Sequence, residues 1–290
     1  MISVIIPCRF SLPLLVEQLS ALMRQRCDEE FEVIIADNTD NYADQLVLAG
    51  IVERYADHLP GLRIVDARGF TGAGHARNAA VRASRGNKIA FLDADDVAGN
   101  GWLAAISAAL DRHHFVASRF DIDLLNTPEI RAGRKNNQGK GLQSYTNPHF
   151  LSHAGGCGMG VTRAAFDAVG GFDERFHLLE DTELSWRLQL RGFELVFVPE
   201  ALVHVRFRPT ARGSFRQSFG YGMYNVLLYK EYRHKGMPAI ERTSMVIAGY
   251  QTARYLLALR DRNRRGNNVR ALGHLLGRMA GSVAFVVWGF

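Results

Sequence analysis

Four short apolar runs, SVIIPC, FEVIIADN, LRIVDA and KIAFLDA, recur through the first hundred residues, each rich in aliphatic residues and closed by polar or turn-forming ones. Runs of this length predict buried strands. The intervals between them carry helical spacing and predict helices over Leu12–Gln25, Tyr42–Ala56 and Ala73–Ser84, each of crossover length. The order β-α-β-α-β-α-β predicts an α/β fold with a doubly wound, mostly parallel sheet. A helix over Trp102–His113 and a strand at FVASRFDID follow. Regularity then fails: 126–148 is polar, glycine-bearing and basic, which predicts either a mobile functional loop or disorder. It returns at GGCGMGVTR, followed by a short helix ending at Gly170, a helix over Glu180–Gly192, a strand FELVFVP and a segment ALVHVRF. From about Arg212 the pattern is helical and arginine-rich. The simplest division is an α/β domain over 1–211 and a helical region over 212–290.

In doubly wound sheets functional groups gather at the carboxyl ends of the strands. Here those ends carry Cys8-Arg9, Asp37-Asn38, Arg68-Gly69 and Asp93-Ala94-Asp95. Composition narrows the class only slightly. A hydrophobic fraction of 47% and a charged fraction of 22% over 290 residues are ordinary for a globular protein, while a net charge of +6 points to anionic company. Three widely spaced cysteines offer neither a disulfide framework nor a zinc knuckle, and Pro7 interrupts the opening apolar run before it reads as a secretory leader. A cytoplasmic location is expected. No apolar run reaches the ~18 residues of a membrane-spanning helix.

Several residues carry candidate chemistry. Asp93, Asp95 and Asp96 crowd into four positions, so they need a compensating cation or a solvated tip; a divalent metal and an acidic helix cap both satisfy this. An extended Asp-Ala-Asp would aim the first two carboxylates the same way. Asp37 can accept from a nucleobase imide or a ribose hydroxyl. Glycines 69, 72 and 74 open the helix bearing Arg77 and Asn78, a geometry that suits a diphosphate or serves as plain structure. Glu180 and Asp181 begin a helix, either as an N-terminal acidic pair or with one acting as a general base. His204 could add a nitrogen ligand, and Arg206, Arg208, Arg212 and Arg216 follow it where a departing diphosphate would want cations.

Taken in order, SVIIPCRF, VIIADN, GAGHARNAAVRASRGNKIAFLDADD, GGCGMGVTRAAFDAVGGFDERF, EDTELSWRLQLRGFELVFVPEALVHV and FRQSFGYG resemble the signature blocks of family 2 glycosyltransferases over about residues 1–230. The resemblance implies a GT-A fold and inverting transfer of a sugar from a nucleoside diphosphate sugar to an acceptor hydroxyl, on a glycan or lipid-linked glycan, with Mn2+ or Mg2+. A UDP-sugar is the favoured donor, with dTDP- and GDP-sugars open. Carried over by position, it assigns donor contacts to Pro7, Arg9, Asp37, Arg77, Asp93, Asp95, Arg212 and Arg216, with Asp37 and Arg77 at the nucleobase. It makes Asp95 and His204 metal ligands, Asp181 the base, Glu180 its support, and Gly155 and Gly156 acceptor-side positions. Two departures stand out: Asp37-Asn38 where the family commonly has two acidic residues, and the length of the 126–148 segment. The rival readings are a sugar nucleotidyltransferase, which needs no Glu180-Asp181 block, and a non-catalytic nucleotide-sugar-binding protein, which could dispense with Asp181. Only the charge suggests nucleic acid, and no binding module supports it.

Near the end, Arg270, His274 and Arg278 recur every four residues beside Leu272, Leu275, Leu276, Met279 and Val283. The pattern predicts an amphipathic helix with a basic face, suited to an anionic membrane surface, with Trp288 at the interface. A core-packing helix or a homo-oligomer contact are the other readings.

Overall fold

The computed structural model describes residues 1–9, 12–132, 134–145, 149–238, 245–258 and 265–287. Trp288 lies outside them. In chain order the elements are β1 (Ile2–Cys8), α1 (Leu12–Met23), β2 (Phe31–Asp37), α2 (Tyr42–Tyr55), β3 (Arg63–Asp66), α3 (Ala73–Ala83), β4 (Lys88–Phe91), β5 (Val97–Ala98), α4 (Trp102–Leu110), β6 (Phe115–Asp121), α5 (Pro128–Arg131), β7 (Met159–Thr162), α6 (Arg163–Ala168), α7 (Glu180–Leu190), β8 (Leu195–His204), α8 (Ala211–Tyr232), α9 (Met245–Ala258) and α10 (Arg265–Ala284). They form two compact units: 1–125, 136–143 and 152–206 in the first, and 126–135, 144–151 and 207–290 in the second.

The first unit is built on an eight-stranded sheet of order β3-β2-β1-β4-β7-β6-β8-β5. It is α/β and mostly parallel, as the alternating pattern predicted, with β4–β7, β6–β7 and β5–β8 antiparallel. Period-two alternation divides the core between the faces. Ile2, Val4 and Ile6 pack with Leu15, Leu19, Trp102 and Ile106, whereas Ile5 packs with Ala76, Ala80, Phe91 and Phe172. Fully burying such an aliphatic side chain is worth about 1.5–3 kcal/mol. Among these strands sits a polar staple: buried Glu32 accepts from Ser3 Oγ at 2.7 Å, Arg63 Nη1 at 2.6 Å and the Arg85 amide at 2.6 Å.

Two sequence expectations change here. FELVFVP and ALVHVRF form one strand, β8, carried past Pro199 by a register shift: Ser118 pairs with Val198, but Arg119 pairs with Leu202. A bulge is where a strand tolerates proline, whose ring removes a ladder donor. The stretch 136–143, expected to be mobile or disordered, is packed. Gln138 is fully buried, donating to the Ser118 carbonyl at 2.8 Å and accepting from the Gly155 amide at 2.9 Å.

In the second unit, α8 and α10 approach closely because glycines line their contact. A Cβ on Gly273 would fall 2.7 Å from the Phe215 carbonyl oxygen, and one on Gly281 2.6 Å from that of Met223. Gly222 and Gly277 are tighter still, against the carbonyls of His274 and Phe219. This packing corrects the amphipathic reading of α10. Leu272 and Leu275 are buried, Leu275 lies with Tyr255 and Met279, and His274 Nε2 bonds Asn225 at 3.0 Å. Burial, then the nearby Arg278 guanidinium, pushes the His274 imidazole down to about 4, so it is neutral. Of the face predicted for a membrane, Leu272 and Leu275 are used inside the unit, while Val283 is 81% exposed.

Candidate active site

Parallel pairing aligns the carboxyl ends of β1, β2 and β4, where Asp37, Asp93, Asp95 and Asp96 follow. Asp37, the last residue of β2, is 6% exposed and accepts from its own neighbour, the Thr39 amide at 2.9 Å and hydroxyl at 2.6 Å. Arg68 Nε lies 3.8 Å away. Cys8 sits among the carboxylates of this edge: burial, then Asp37, Asp95 and Asp44, push its thiol up to about 12. Asn38, where the family commonly has an acid, ties the β3–α3 loop to β2. Its Nδ2 donates to the carbonyls of Ala67 and Phe70, and its Oδ1 accepts from Gly72. A carboxylate could not make those donations. Arg9, expected at the donor, pairs with Asp40 at 2.9 Å beside this edge, and Pro7 lies in β1.

The acidic segment after β4 is a turn rather than an extended strand, closed by the Asp96 amide to the Asp93 carbonyl at 3.4 Å. Its carboxylates take separate partners, although Asp93 and Asp96 come within 4.8 Å of one another. Asp93 accepts from Arg77 Nη2 at 2.6 Å, and Asp95 is half-buried. Asp96 is 3% exposed, accepts from the Arg206 amide at 2.8 Å and receives the Cys157 thiol. Burial, with Asp93 and Asp95 adding repulsion, raises the Asp96 carboxyl well above the ordinary range. Asp96 holds β8 to the turn. Gln18 steadies the same turn from α1, donating to the Asp93 carbonyl at 3.1 Å and accepting from the Ala98 amide at 2.9 Å. Arg206, predicted among the diphosphate cations, instead clamps the turn through the Asp95 carbonyl at 2.9 Å and Glu17 at 2.8 Å. Gln18 and Glu17 carried no motif. Only the burial of a long polar side chain marks the first of them.

Arg77 is the electrostatic centre. Expected at a nucleobase, it is instead 2% exposed, with Nη2 on Asp93 and Nη1 on Glu180 at 2.7 Å, over the Phe172 ring. Burial works against its charge, but the two carboxylates outweigh burial and hold its pKa above the ordinary value. Such an ion triad persists only when each charge is paired. Beside it, burial and the Asp181 charge push Glu180 up to about 7 against the pull of Arg77.

Asp181 begins α7, whose preceding residue Leu179 is in the left-handed region at φ 62. That conformation costs a non-glycine residue about 1–2 kcal/mol, and it is held at the residue that leads into the helix. The Asp181 carboxylate accepts from the Gly156 amide at 2.8 Å and from the Thr182 amide at 2.7 Å, and Ser185 donates to its carbonyl at 2.7 Å. Gly155 and Gly156 are close-packed: a Cβ on the first would meet Phe120 at 2.8 Å, and on the second Arg77 at 2.8 Å. His153, missed in the sequence, is near enough to feel Asp181, and burial pushes it down to about 4.

Two donor sets could receive a divalent cation. Among the described residues, Asp93, Asp96 and Cys157 bring donor atoms within 4.8 Å of one another. Their chemistry fits a hard cation poorly: burial, then Asp96 and Asp93, keep the thiol protonated, and Asp93 is paired with Arg77. Asp95 and His204 are donor types better suited to such a cation, at positions the sheet register makes neighbours. β5 pairing sets Val97 opposite His204, two residues from Asp95, and β6 pairing sets Asp121 on its other side. His204 Nδ1 meets Asp121 Oδ2 at 2.7 Å, which leaves Nε2 as the ring atom able to coordinate, the usual arrangement behind a ligating histidine. Burial would raise Asp121, but the bonds from His204 and two amides lower it, so it stays ionised. Arg212 and Arg216 lie on α8 of the second unit.

The mixed, mostly parallel eight-stranded sheet with its C-terminal helices is consistent with a GT-A-type α/β protein. Residues 3–170 match the family described as Glycosyl transferase family 2, and residues 88–288 match Glycosyl transferase family group 2. The chain belongs to glycosyl transferase family 2. It is 28% identical over 231 residues to a pre-mycofactocin glycosyltransferase of Mycobacterium tuberculosis, covering 75% of this chain and 44% of that protein. It is 33% identical over 114 residues to the poly(ribitol-phosphate) beta-N-acetylglucosaminyltransferase TarS of Staphylococcus aureus, covering 39% and 19%. The chain thus spans less than half the length of these curated relatives. Among solved structures, the mannosyltransferase PcManGT from Pyrobaculum calidifontis, in complex with GDP-Man and Mn2+, aligns with a TM-score of 0.61 at 18% identity, over 97% of this chain and 86% of that one. S. aureus TarS 1-349 in complex with UDP-GlcNAc aligns at 0.52 and 15%, over 99% and 92%. At these identities the likeness speaks to the fold.

Proposed function

We propose that this protein transfers a sugar, with inversion, from a nucleoside diphosphate sugar to a hydroxyl of a glycan or lipid-linked glycan acceptor. The observation that carries the reading is the Asp181 carboxylate, fixed by two backbone amides at a helix start beside the ion triad of buried Arg77 with Glu180 and Asp93. A carboxylate so held has remaining lone pairs to accept a proton and little freedom to leave its station. Asp181 takes the proton of the acceptor hydroxyl as its oxygen attacks the anomeric carbon. The bond to the diphosphate breaks on the opposite face through an oxocarbenium-like transition state. Arg77 offsets the negative charge of Glu180 and Asp93, so that the acidic cleft can admit an anionic donor. Asp37 accepts from the base or ribose at the end of β2, where a uracil imide suits a carboxylate and favours UDP-sugars. Asp95 and His204 would hold Mn2+ or Mg2+, which when bound supplies charge neutralisation for the departing diphosphate. The GDP-Man and UDP-GlcNAc complexes of PcManGT and TarS support a nucleotide-sugar donor.

The test is nucleotide release from a panel of UDP-, GDP- and dTDP-sugars, with and without Mn2+. Slow hydrolysis of one donor, stimulated by metal and lost in Asp95→Ala, is expected. Binding of no nucleoside diphosphate sugar by calorimetry, in protein shown to be folded, would overturn the proposal.

A further inference from the structure

The segment 152–156, which ends on the amide that holds Asp181, is fastened residue by residue to two different parts of the first unit. The Ser152 carbonyl accepts from Gln189 Nε2 at 2.7 Å, the Ala154 amide donates to Ser185 Oγ at 3.2 Å, and the Gly156 amide donates to Asp181 Oδ2 at 2.8 Å, all three partners lying on α7. Between them, the His153 amide donates to the Gln143 carbonyl at 2.8 Å, the His153 carbonyl accepts from the Gln143 amide at 3.2 Å, and the Gly155 amide donates to Gln138 Oε1 at 2.9 Å. Bonds that alternate in this way are those of a chain laid between two neighbours, as a strand is in a sheet. One neighbour carries the proposed base. The other is the packed stretch 136–143.

Gln138 is the fixed point of that second neighbour. It is fully buried, and both lone pairs of its amide oxygen are taken, by the Gly155 amide and by Gln143 Nε2 at 3.0 Å, while its own Nε2 donates to the Ser118 carbonyl at 2.8 Å. Rotating the side-chain amide would set its NH2 against two donors, so one orientation alone satisfies the network. Ser118 is itself anchored in β6: its hydroxyl accepts from Trp102 Nε1 at 2.9 Å and donates to the Gly158 carbonyl at 2.6 Å. A continuous run of bonds therefore leads from the sheet through Gln138 to Gly155, and the next amide along is the one that grips Asp181. Gly155 has little room to drift toward β6, since a Cβ there would already meet Phe120 at 2.8 Å.

We infer that Gln138 is a positioning residue for the proposed base: by holding the Gly155 amide, it sets where Gly156 presents its own amide to Asp181. This role rests on Asp181 as the base, and it adds a dependence on a residue that lies outside every signature block of the family resemblance. An apolar side chain of the same length would fill the space Gln138 occupies but would hold no amide.

Gln138→Met makes that exchange at similar volume, and it is compared with Asp181→Asn and with the double variant. Gln138→Met should bind a nucleoside diphosphate within about twofold of wild type, exchange the Gly155 and Gly156 amides at least ~10-fold faster, and transfer sugar about 10–100-fold more slowly. In the Asp181→Asn background the same substitution should add little, because the group it positions is already gone. Equal fold-losses in the two backgrounds, or wild-type transfer by folded Gln138→Met, would overturn the inference while leaving Asp181 in its role. Wild-type transfer by Asp181→Asn alone would overturn the base and the inference together. Should Gln138→Met fail to fold, Gln143→Met removes one donor to the same oxygen from a half-buried position. A loss of about threefold, absent in the Asp181→Asn background, is then expected. The same loss in both backgrounds, or none, would overturn the inference.

Discussion

Gly156→Ala probes how tightly the candidate site is built around Arg77. An ideal Cβ at this position falls 2.8 Å from Nη2, 3.1 Å from Cζ and 3.2 Å from Nη1 of that guanidinium. Ordinary contacts begin near 3.4 Å, so the guanidinium must withdraw by about half an ångström. It has little room: Phe172 lies beneath it, and Asp93 and Glu180 grip its ends at 2.6 and 2.7 Å. Overpacking of this kind costs about 1–3 kcal/mol. The same residue donates its amide to Asp181, so a backbone shift also moves the proposed base, and an ångström of misplacement can cost ~100-fold in rate. Urea unfolding followed by fluorescence suits the measurement, because Trp102 and Trp186 are fully buried in the same unit. The midpoint should fall with little change in slope, and sugar transfer should fall with it. Gly50→Ala on α2, where nothing lies within 4 Å, is the control and should be neutral or slightly stabilising. If Gly156→Ala keeps both the wild-type midpoint and wild-type transfer, the guanidinium is not wedged against this backbone and the reasoning fails.

Asp181→Asn is expected to leave donor binding nearly intact and to lower transfer by at least ~100-fold, the scale for loss of a general base; near-normal turnover in folded mutant would remove Asp181 from that role. Asp121→Asn should weaken Mn2+ binding by about 10–100-fold, read by electron paramagnetic resonance with UDP present, because an amide no longer fixes the His204 tautomer; an unchanged Mn2+ affinity would count against His204 as ligand. Burial would raise the Glu32 carboxyl, but the Arg85 amide, Ser3 and Arg63 hold it at about 2, below its ordinary 4.5. Its stabilising contribution is therefore present above pH 4.5 and lost as pH falls toward 2. The stability gap between wild type and Glu32→Gln should close over that window, and a gap independent of pH would refute the assignment.

The strand–helix alternation of the first hundred residues was legible because each run obeys one period, and α1, α2 and α3 differ from expectation only in their last residues. The two-residue β5 was not, since two residues carry no period and pair only because β8 passes beside them. Asp181 was visible as an acid at a helix start. The occupation of Arg77 by Glu180, 103 positions away, was not, because nothing local distinguishes a buried arginine from an exposed one. Asn38 read as a departure from the family pattern and became intelligible only when its amide was seen to tie down the loop at Ala67 and Phe70. Leu272 and Leu275 read correctly as one apolar side of α10, but periodicity does not say whether such a side meets lipid or another helix.

The register shift in β8 acts as a phase setter for the site. Had the pairing that joins Ser118 to Val198 continued without interruption, Asp121 would stand opposite Ala201 instead of His204. Three residues, Pro199, Glu200 and Ala201, are what deliver the imidazole to its carboxylate. Point substitutions in that stretch should be tolerated more readily than a change in its length. A single deletion there would slide the histidine out of position while every residue the chemistry requires is still in the chain. Alignments of relatives that close a gap at this point would credit the wrong residue with the role.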